Sequence, residues 1–221
     1  SGVFIHQKKI SEQKAELVIE SRLSLKEMKS SLKLRTTILD AAGKEVASQE
    51  TKVMDEHLCQ AMMVLNPVLW NGKQNPYLYT VNVELYDGDK LVDKVTEQTG
   101  FRYFSVDKDK GFFLNGKPYD IHGFCRHEDV EGKGSALLPE DYERDMELVK
   151  EIGATGMRLT HYPHSKRIHD LCDRDGIILW AEIPFVGPGG YAYTGYVSNQ
   201  GLHDNARQVL KELVYQNYNH P

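Results

Sequence analysis

The feature that most constrains the fold of this chain is a strand–helix–strand pattern between residues 156 and 182. A short apolar run at 156–159 is followed by a helical pattern that ends at Gly176. A second apolar run, 177–181, leads directly into Glu182. Parallel strands need a crossover connection, and such connections are almost always right-handed. The pattern therefore predicts a βαβ unit and, with it, a parallel α/β fold.

Charged and polar residues stand at the ends of these two apolar runs. Arg158 is the next-to-last residue of the first run, His161 follows that run by two positions, and Glu182 closes the second run. In parallel α/β folds the functional groups collect at the carboxyl ends of the strands. We therefore expect the chemistry of this chain at Arg158, His161 and Glu182.

The N-terminal part of the chain has the pattern of an all-β domain. Alternating apolar and polar residues occupy 15–21, 32–36 and 79–85, and turn sequences such as 87–90 separate the runs. Alternation with a period of two is typical of half-buried strands, and strands at this spacing favour an antiparallel sandwich. We predict an immunoglobulin-like β-sandwich over residues 1–104.

A different pattern begins at residue 105 and continues to residue 221. Asn115-Gly116 is a strong signal for a type I′ hairpin. Three strand-and-helix pairs follow, with the first strand predicted at 119–124 and two of the helices at about 140–152 and 203–219. The last helix is expected to turn its apolar residues inward: Leu202, Ala206, Val209, Leu210 and Leu213.

Three βα units are too few to close a barrel, which needs eight strands. The predicted fold class is therefore multi-domain, with a β-sandwich followed by an incomplete α/β domain over residues 105–221. We interpret the sequence as a fragment. An unfinished barrel would expose apolar surface, and this surface could pair with another copy of the chain, so a homo-oligomer is possible.

Composition narrows the classes of partner and leaves the compartment open. The formal net charge of −5 argues against a nucleic acid or an anionic membrane surface as partner. No apolar run approaches the roughly eighteen residues of a membrane span. Cys59, Cys125 and Cys172 are scattered, and we predict buried free thiols. A periplasmic and a cytoplasmic location both agree with this composition.

Several motifs, in order along the chain, resemble one known family, the family 2 glycoside hydrolases, which include β-galactosidases and β-glucuronidases. Gly123–Glu128 has the form Gly-x-x-Arg-His-Glu, Arg158–Pro163 the form Arg-x-x-His-Tyr-Pro, and Leu171–Gly176 the form Leu-Cys-Asp-x-x-Gly. Asn75–Tyr79 and Gly100–Arg102 are similar to the last strands of the family's immunoglobulin-like domain. The resemblance implies such a sandwich followed by the first three βα units of a (β/α)8 TIM barrel.

The resemblance also implies an exo-acting enzyme that hydrolyses terminal β-linked sugars with retention of configuration. Such enzymes use two glutamates about 5–5.5 Å apart, one as acid/base and one as nucleophile. Both glutamates are expected after Pro221, so this chain would carry part of the sugar pocket and no catalytic residue, and alone it should be inactive. The motifs favour a β-galactosidase, with β-glucuronidase and β-mannosidase as alternatives.

The same resemblance implies substrate-binding roles for four residues. Arg158 would orient the nucleophile, because a guanidinium fork holds a carboxylate ionised and in place. His127 and His161 would contact sugar hydroxyls, since an imidazole offers one donor and one acceptor. Glu182 is the fourth. The family often has a later glutamate here that helps some members to hold Mg²⁺, but this chain continues with Ile183-Pro184. We therefore expect no metal and no cofactor.

Two other functions remain open from the sequence. A metal-dependent barrel hydrolase could use His122, His127, His161 and Glu182 as ligands, although no HxH or HExxH spacing supports it. A non-catalytic carbohydrate-binding or scaffold module would instead need a row of exposed aromatic residues on one face of the sandwich. The Gly- and Tyr-rich segment 187–193 is either a pocket wall or an ordinary surface loop.

Overall fold

The computed structural model describes residues 2–184 and 198–221, and it separates them into two compact units. The first unit contains the chain up to Tyr119 together with Tyr218–Pro221. The second unit contains Asp120–Asn217. Each unit is described by itself below.

Two antiparallel sheets form most of the first unit. One sheet has the strand order β1-β2-β5 and the other β4-β3-β6-β7. Buried residues of both sheets, such as Ile19 and Val81, belong to one apolar cluster. This β-rich unit agrees with the predicted sandwich. Its strands are β1 Val3–Ile10, β2 Lys14–Arg22, β3 Leu32–Leu39, β4 Glu45–Lys52, β5 His57–Leu65, β6 Tyr79–Asp87 and β7 Lys90–Thr99.

A small third sheet follows, made of β8 Phe104–Asp107, β9 Gly111–Leu114 and β10 Lys117–Pro118. The loop between β9 and β10 has two residues, Asn115 with φ of 50° and Gly116 with φ of 77°. Positive φ at both positions is the geometry of a type I′ turn, which matches the twist of the flanking strands. The hairpin predicted from Asn115-Gly116 is therefore confirmed.

The second unit is built on a parallel sheet of β11 Gly123–Arg126, β12 Gly156–Leu159 and β13 Ile178–Ala181. Helix α1, Pro139–Glu151, connects β11 to β12, and helix α2, Lys166–Asp175, connects β12 to β13. This arrangement confirms the predicted βαβ unit. Gly176, with φ of 75°, ends α2 in the left-handed conformation expected of a C-terminal glycine.

The first parallel strand begins later than the predicted range of 119–124. Residues 120–122 instead bond to the turn before β12: the Thr155 hydroxyl donates to the Asp120 carbonyl, and the His122 N–H donates to the same hydroxyl. Pairing of β11 starts at Gly123, where a Cβ atom would lie 1.7 Å from the Gly156 carbonyl oxygen. Only glycine allows this close approach of the two strands.

The two crossover helices cover one face of the parallel sheet. Met146 of α1 and Ile168 of α2 pack with Met157 and Leu159 of β12 in a single buried cluster. Because side chains alternate along a strand, Arg158 points to the opposite face. That face also carries Cys125 and Trp180, which lie beside Arg158 in the strand register.

The last helix, α3, spans Gln200–Gln216, three residues earlier than predicted at each end. Leu213 is its one buried residue, and Leu210 is 51% exposed. The prediction that Leu210 turns inward is therefore wrong within the described part of the chain. Among the described residues, no helix combines the length and the apolar character that crossing a membrane requires.

Candidate functional site

The register of the parallel sheet brings the predicted site residues to one edge. Arg126, Leu159 and Ala181 are the last paired residues of their strands and lie side by side. The residues that follow them, His127, Thr160-His161 and Glu182, therefore leave the sheet at its carboxyl edge. We call Arg158, His161, Glu182 and His127 the strand-end cluster.

Glu182 is the centre of the strand-end cluster. Its Oε1 accepts a hydrogen bond from Nε of Arg158 at 2.6 Å, and its Oε2 lies 3.0 Å from Nδ1 of His161. The bond from Arg158 lowers the pKa of the Glu182 carboxyl below its ordinary value; partial burial opposes this shift, and the bond from His161 adds to it. Glu182 is therefore an anion that orients both neighbours.

The hydrogen bonds of Glu182 also determine which atoms of its neighbours remain for a ligand. An ionised carboxylate only accepts, so Nδ1 of His161 carries a proton and Nε2 is the ring nitrogen left for a ligand. Within the described residues, no hydrogen bond engages that Nε2. To other described residues, the Nη atoms of Arg158 make only long contacts, 3.6 Å to Sγ of Cys125 and 3.4 Å to the His161 ring.

His127 lies beside His161, and its side chain is exposed. The two ring centroids are 5.5 Å apart, with the rings nearly perpendicular. The structure thus brings all four predicted substrate-binding residues together, at the edge where the sequence predicted them. Their roles toward a substrate stay predictions.

His122 lies at the other end of the sheet. It precedes β11, and its Nε2 is 3.1 Å from the carbonyl oxygen of Gly153, which follows α1. His127, His161 and Glu182 all follow their strands. The four ligands of the metal-dependent alternative therefore cannot meet at one ion.

Sequence reasoning missed a buried polar group next to the strand-end cluster. Arg126 is 6% exposed, and its Nε donates to Asp145 at 2.9 Å. Nη1 of Arg126 lies 3.2 Å from Nδ1 of His164, and its guanidinium lies 3.8 Å from Glu128. Burial lowers the pKa of His164. The signal in the sequence that could have revealed this group was an arginine at the last position of an otherwise uncharged strand, β11.

Two further expectations have different outcomes. Cys172 is buried, and burial raises the pKa of its thiol, but Cys59 and Cys125 are exposed, so the prediction of three buried thiols is wrong. Cys125 is exposed because it lies on the uncovered face of the parallel sheet.

The Gly- and Tyr-rich segment 187–193 lies outside the described residues.

Parallel βα units with Arg, His and Glu gathered at the carboxyl ends of the strands are typical of α/β enzymes. Family models identify which one. The model "Glycosyl hydrolases family 2" matches residues 1–102, and the model of that family's TIM barrel domain matches residues 105–221. The chain belongs to family 2 of the glycosyl hydrolases.

Relatives of the chain include enzymes of two names. It is 41% identical to the "Beta-glucuronidase" of Bacteroides fragilis, covering 100% of this chain and 32% of that protein. It is 30% identical to the "Beta-galactosidase BoGH2A" of Bacteroides ovatus, covering 100% of this chain and 26% of that protein. The crystal structure of a Bacteroides uniformis β-glucuronidase matches with a TM-score of 0.87 at 34% identity, over 100% of this chain and 26% of that one. The chain thus spans a third or less of the length of these relatives.

Proposed function

We propose that this chain is part of a retaining, exo-acting β-glycosidase and supplies one side of its sugar pocket. The observation that carries the proposal is the strand-end cluster: a family 2 chain in which Arg158, His161, His127 and Glu182 meet at the carboxyl edge of the parallel sheet. In this proposal the sheet and its helices are the first three βα units of the barrel, and the domain boundary lies at residues 104/105. The two family matches, which end at 102 and begin at 105, support that boundary, whereas the compact units of the structure divide between Tyr119 and Asp120.

The proposed roles follow from the atoms that Glu182 leaves free. Arg158 is held through Nε, so its two Nη groups can hold the carboxylate of a nucleophile in a fixed orientation. Nε2 of His161 accepts a hydrogen bond from a sugar hydroxyl. His127, exposed and adjacent, contacts a second hydroxyl. Glu182 acts on the substrate by orienting Arg158 and His161, or contacts it at the rim of the pocket.

We place the reacting pair of glutamates after Pro221. Retaining hydrolysis needs two carboxyl groups about 5–5.5 Å apart, one of which must hold a proton near neutral pH. The strand-end cluster contains one carboxyl group, Glu182, and its lowered pKa is the opposite of what a general acid requires. The chain by itself is therefore expected to be inactive.

Two sugars are the leading candidates. The motifs favoured a β-galactoside, but the relative at 41% identity is named a β-glucuronidase, as is the matching structure at 34%. We therefore propose a β-glucuronide first and a β-galactoside second, with a β-mannoside as a third choice. No observation favours the non-catalytic sugar-binding module: in the described residues, none of the seven sandwich strands carries an exposed aromatic side chain.

Hydrolysis of aryl β-glycosides tests the proposal. We would assay aryl β-glucuronide, β-galactoside and β-mannoside with this chain and with a chain extended to the length of its relatives. Activity in the extended protein alone, lost on Arg158→Gln but kept on Arg174→Gln, is the expected result. Arg174 is a matched control because it pairs with Glu143 and Asp175, away from the strand-end cluster. Activity in the 221-residue chain would contradict the proposal.

A further inference from the structure

We propose that Glu128 is a positioning residue that clamps the segment bearing His161 onto the segment bearing His127. The proposal deepens the proposed function, and it rests on that function for its consequence in sugar binding. The juxtaposition that carries it is one carboxylate bonded to both segments, next to the two histidines.

The clamp begins at the Glu128 carboxylate, one residue after His127. It accepts two hydrogen bonds from the backbone N–H of Ser165, at 2.9 and 3.2 Å, and one from the hydroxyl of Tyr142 in α1. Ser165 is the N-cap of α2, and its own side chain accepts from the N–H of Arg167. A single side chain therefore ties the end of β11 to α1 and to the start of α2.

The segment between β12 and α2 is held at both of its ends. At one end, the N–H and the hydroxyl of Thr160 both donate to the Arg126 carbonyl, each at 3.0 Å. At the other end, Ser165 is bonded to Glu128. Between these anchors lies His161, followed by Tyr162, whose hydroxyl accepts from the backbone N–H of Glu128 at 3.3 Å. The position of His161 relative to His127 is thus determined by bonds to residues 126 and 128.

His164 supports the same connection from inside. Its Nε2 lies 2.9 Å from the Thr160 carbonyl, which can only accept, so Nε2 carries the proton. Nδ1 is then an acceptor, and Nη1 of Arg126 donates to it at 3.2 Å. This neutral form agrees with the complete burial of the His164 side chain.

The neighbours of Glu128 use both oxygens of its side chain as acceptors. Its side chain is 13% exposed and lies near the buried Arg126 guanidinium. The Ser165 N–H donates to both oxygens and the Tyr142 hydroxyl donates to Oε1, while Oε2 also lies 3.3 Å from Nδ1 of His164. A glutamine of the same shape has only one oxygen, so it would turn an NH₂ group toward a donor or leave one donor without an acceptor. Glu128→Gln therefore weakens the hydrogen bonds of the clamp and leaves the volume of the side chain unchanged.

Nuclear magnetic resonance of the imidazole groups in this chain measures the clamp directly, without substrate. The variant is Glu128→Gln, and the matched control is Glu143→Gln, which removes a carboxylate that joins α1 to Arg167 and Arg174 of α2. We expect both proteins to melt cooperatively. In Glu128→Gln the His127 and His161 signals should shift and the contact signal between the two rings should be lost, whereas Glu143→Gln should leave both unchanged.

Unchanged histidine signals in a folded Glu128→Gln protein would overturn the proposal, as would an equal change in Glu143→Gln. If Glu128→Gln does not fold, Tyr142→Phe decides: it removes one donor to the carboxylate, and it must shift the His127 and His161 signals in the same direction. Failure of the proposed glycosidase function is distinguishable, because it would appear in the hydrolysis assay and would leave the ring geometry intact.

Discussion

At the scale of single residues, the strand-end cluster depends on the charge of Glu182. The Arg158 bond lowers the pKa of this carboxyl, so the ion pair is fully formed at neutral pH. It should persist as the pH falls through the ordinary glutamate range and should break only below that range.

We therefore predict that the Nε–H signal of Arg158 stays sharp and shifted down to a pH below the ordinary pKa of a glutamate. In Glu182→Gln the signal should lose this shift at every pH, because the amide carries no charge. Asp170→Asn is the control, since it removes an exposed carboxylate that pairs with Lys166. A signal that is lost already at the ordinary glutamate pKa would contradict the prediction.

Glu20 in the first unit provides a second prediction at this scale. His6, Arg22 and His57 each contact its carboxylate, and their hydrogen bonds lower its pKa to about 2 despite partial burial, with the bond from His6 contributing most. A group with a depressed folded-state pKa stabilises the fold above its unfolded-state pKa, and the stabilisation is lost as the pH falls toward the folded value. The relevant window therefore lies between the ordinary glutamate pKa and pH 2.

Urea unfolding at a series of pH values measures this contribution. We expect Glu20→Gln to be less stable than the natural chain at neutral pH, with a difference that shrinks steadily as the pH falls through that window. Glu12→Gln, which makes the same change at an exposed residue before β2, should show no such trend. A pH-independent difference for Glu20→Gln would show that its ion pairs are not the cause.

At the scale of elements, the side chain of Asn219 pairs with an edge strand. Among the described strands, β1 is bonded to β2 alone, on one of its two sides. On its other side, Oδ1 of Asn219 accepts from the N–H of Ile5 at 2.8 Å, and Nδ2 donates to the Val3 carbonyl at 2.9 Å. One amide side chain thus satisfies a donor and an acceptor that an edge strand otherwise leaves open.

We predict that Asn219→Ala destabilises the first unit by about 1–2 kcal/mol, because two hydrogen bonds of about 1 kcal/mol each are lost. Asn219→Asp keeps the acceptor for Ile5 but brings a carboxylate against the Val3 carbonyl, so it should be at least as damaging. Asn205→Ala, on an exposed position of α3, is the control and should change stability little. Equal melting curves for the Asn219 and Asn205 variants would contradict the prediction.

Local patterns predicted those elements whose cause is local. The βαβ unit followed from two apolar runs and Gly176, and the type I′ hairpin followed from Asn115-Gly116, since run length and backbone freedom are properties of a few adjacent residues. The Arg126–His164 contact joins residues 38 positions apart, and no period in the sequence encodes it. The prediction for Leu210 was wrong because a helical stripe indicates which side of a helix is apolar, but not how much of that side other residues cover.

In the strand-end cluster, too, local patterns predicted some features and not others. The edge at which Arg158, His161 and Glu182 meet followed from parallel strand geometry alone. Which atoms remain free followed only from the bonds of Glu182, which join residues 21 and 24 positions apart. The predicted strand at 119–124 was displaced because Thr155, a residue of another segment, bonds to residues 120 and 122.

At the scale of the whole molecule, the second unit carries a large apolar surface that the described residues leave open. The face of the parallel sheet opposite the helices borders a groove of about 310 Å³, with Cys125, Ile178 and Trp180 among its lining residues. Trp180 is 70% exposed, and Leu210 and Val214 of α3 are also exposed. Patches of this kind mark surfaces that another segment or another molecule covers.

The two tryptophans of the chain report on this surface, because their environments are opposite. Trp70 is 1% exposed, whereas Trp180 stands on the open sheet face. We predict that acrylamide quenches one part of the emission of this chain readily and the other part poorly, and that Trp180→Phe removes the accessible part. In the proposed barrel, later strands cover Trp180, so an extended chain should show poor quenching throughout. Sedimentation distinguishes this outcome from self-association. If copies of the 221-residue chain cover the face, Trp180 is protected from acrylamide only at concentrations at which the chain dimerises. Protection of Trp180 in the monomer would contradict the open face.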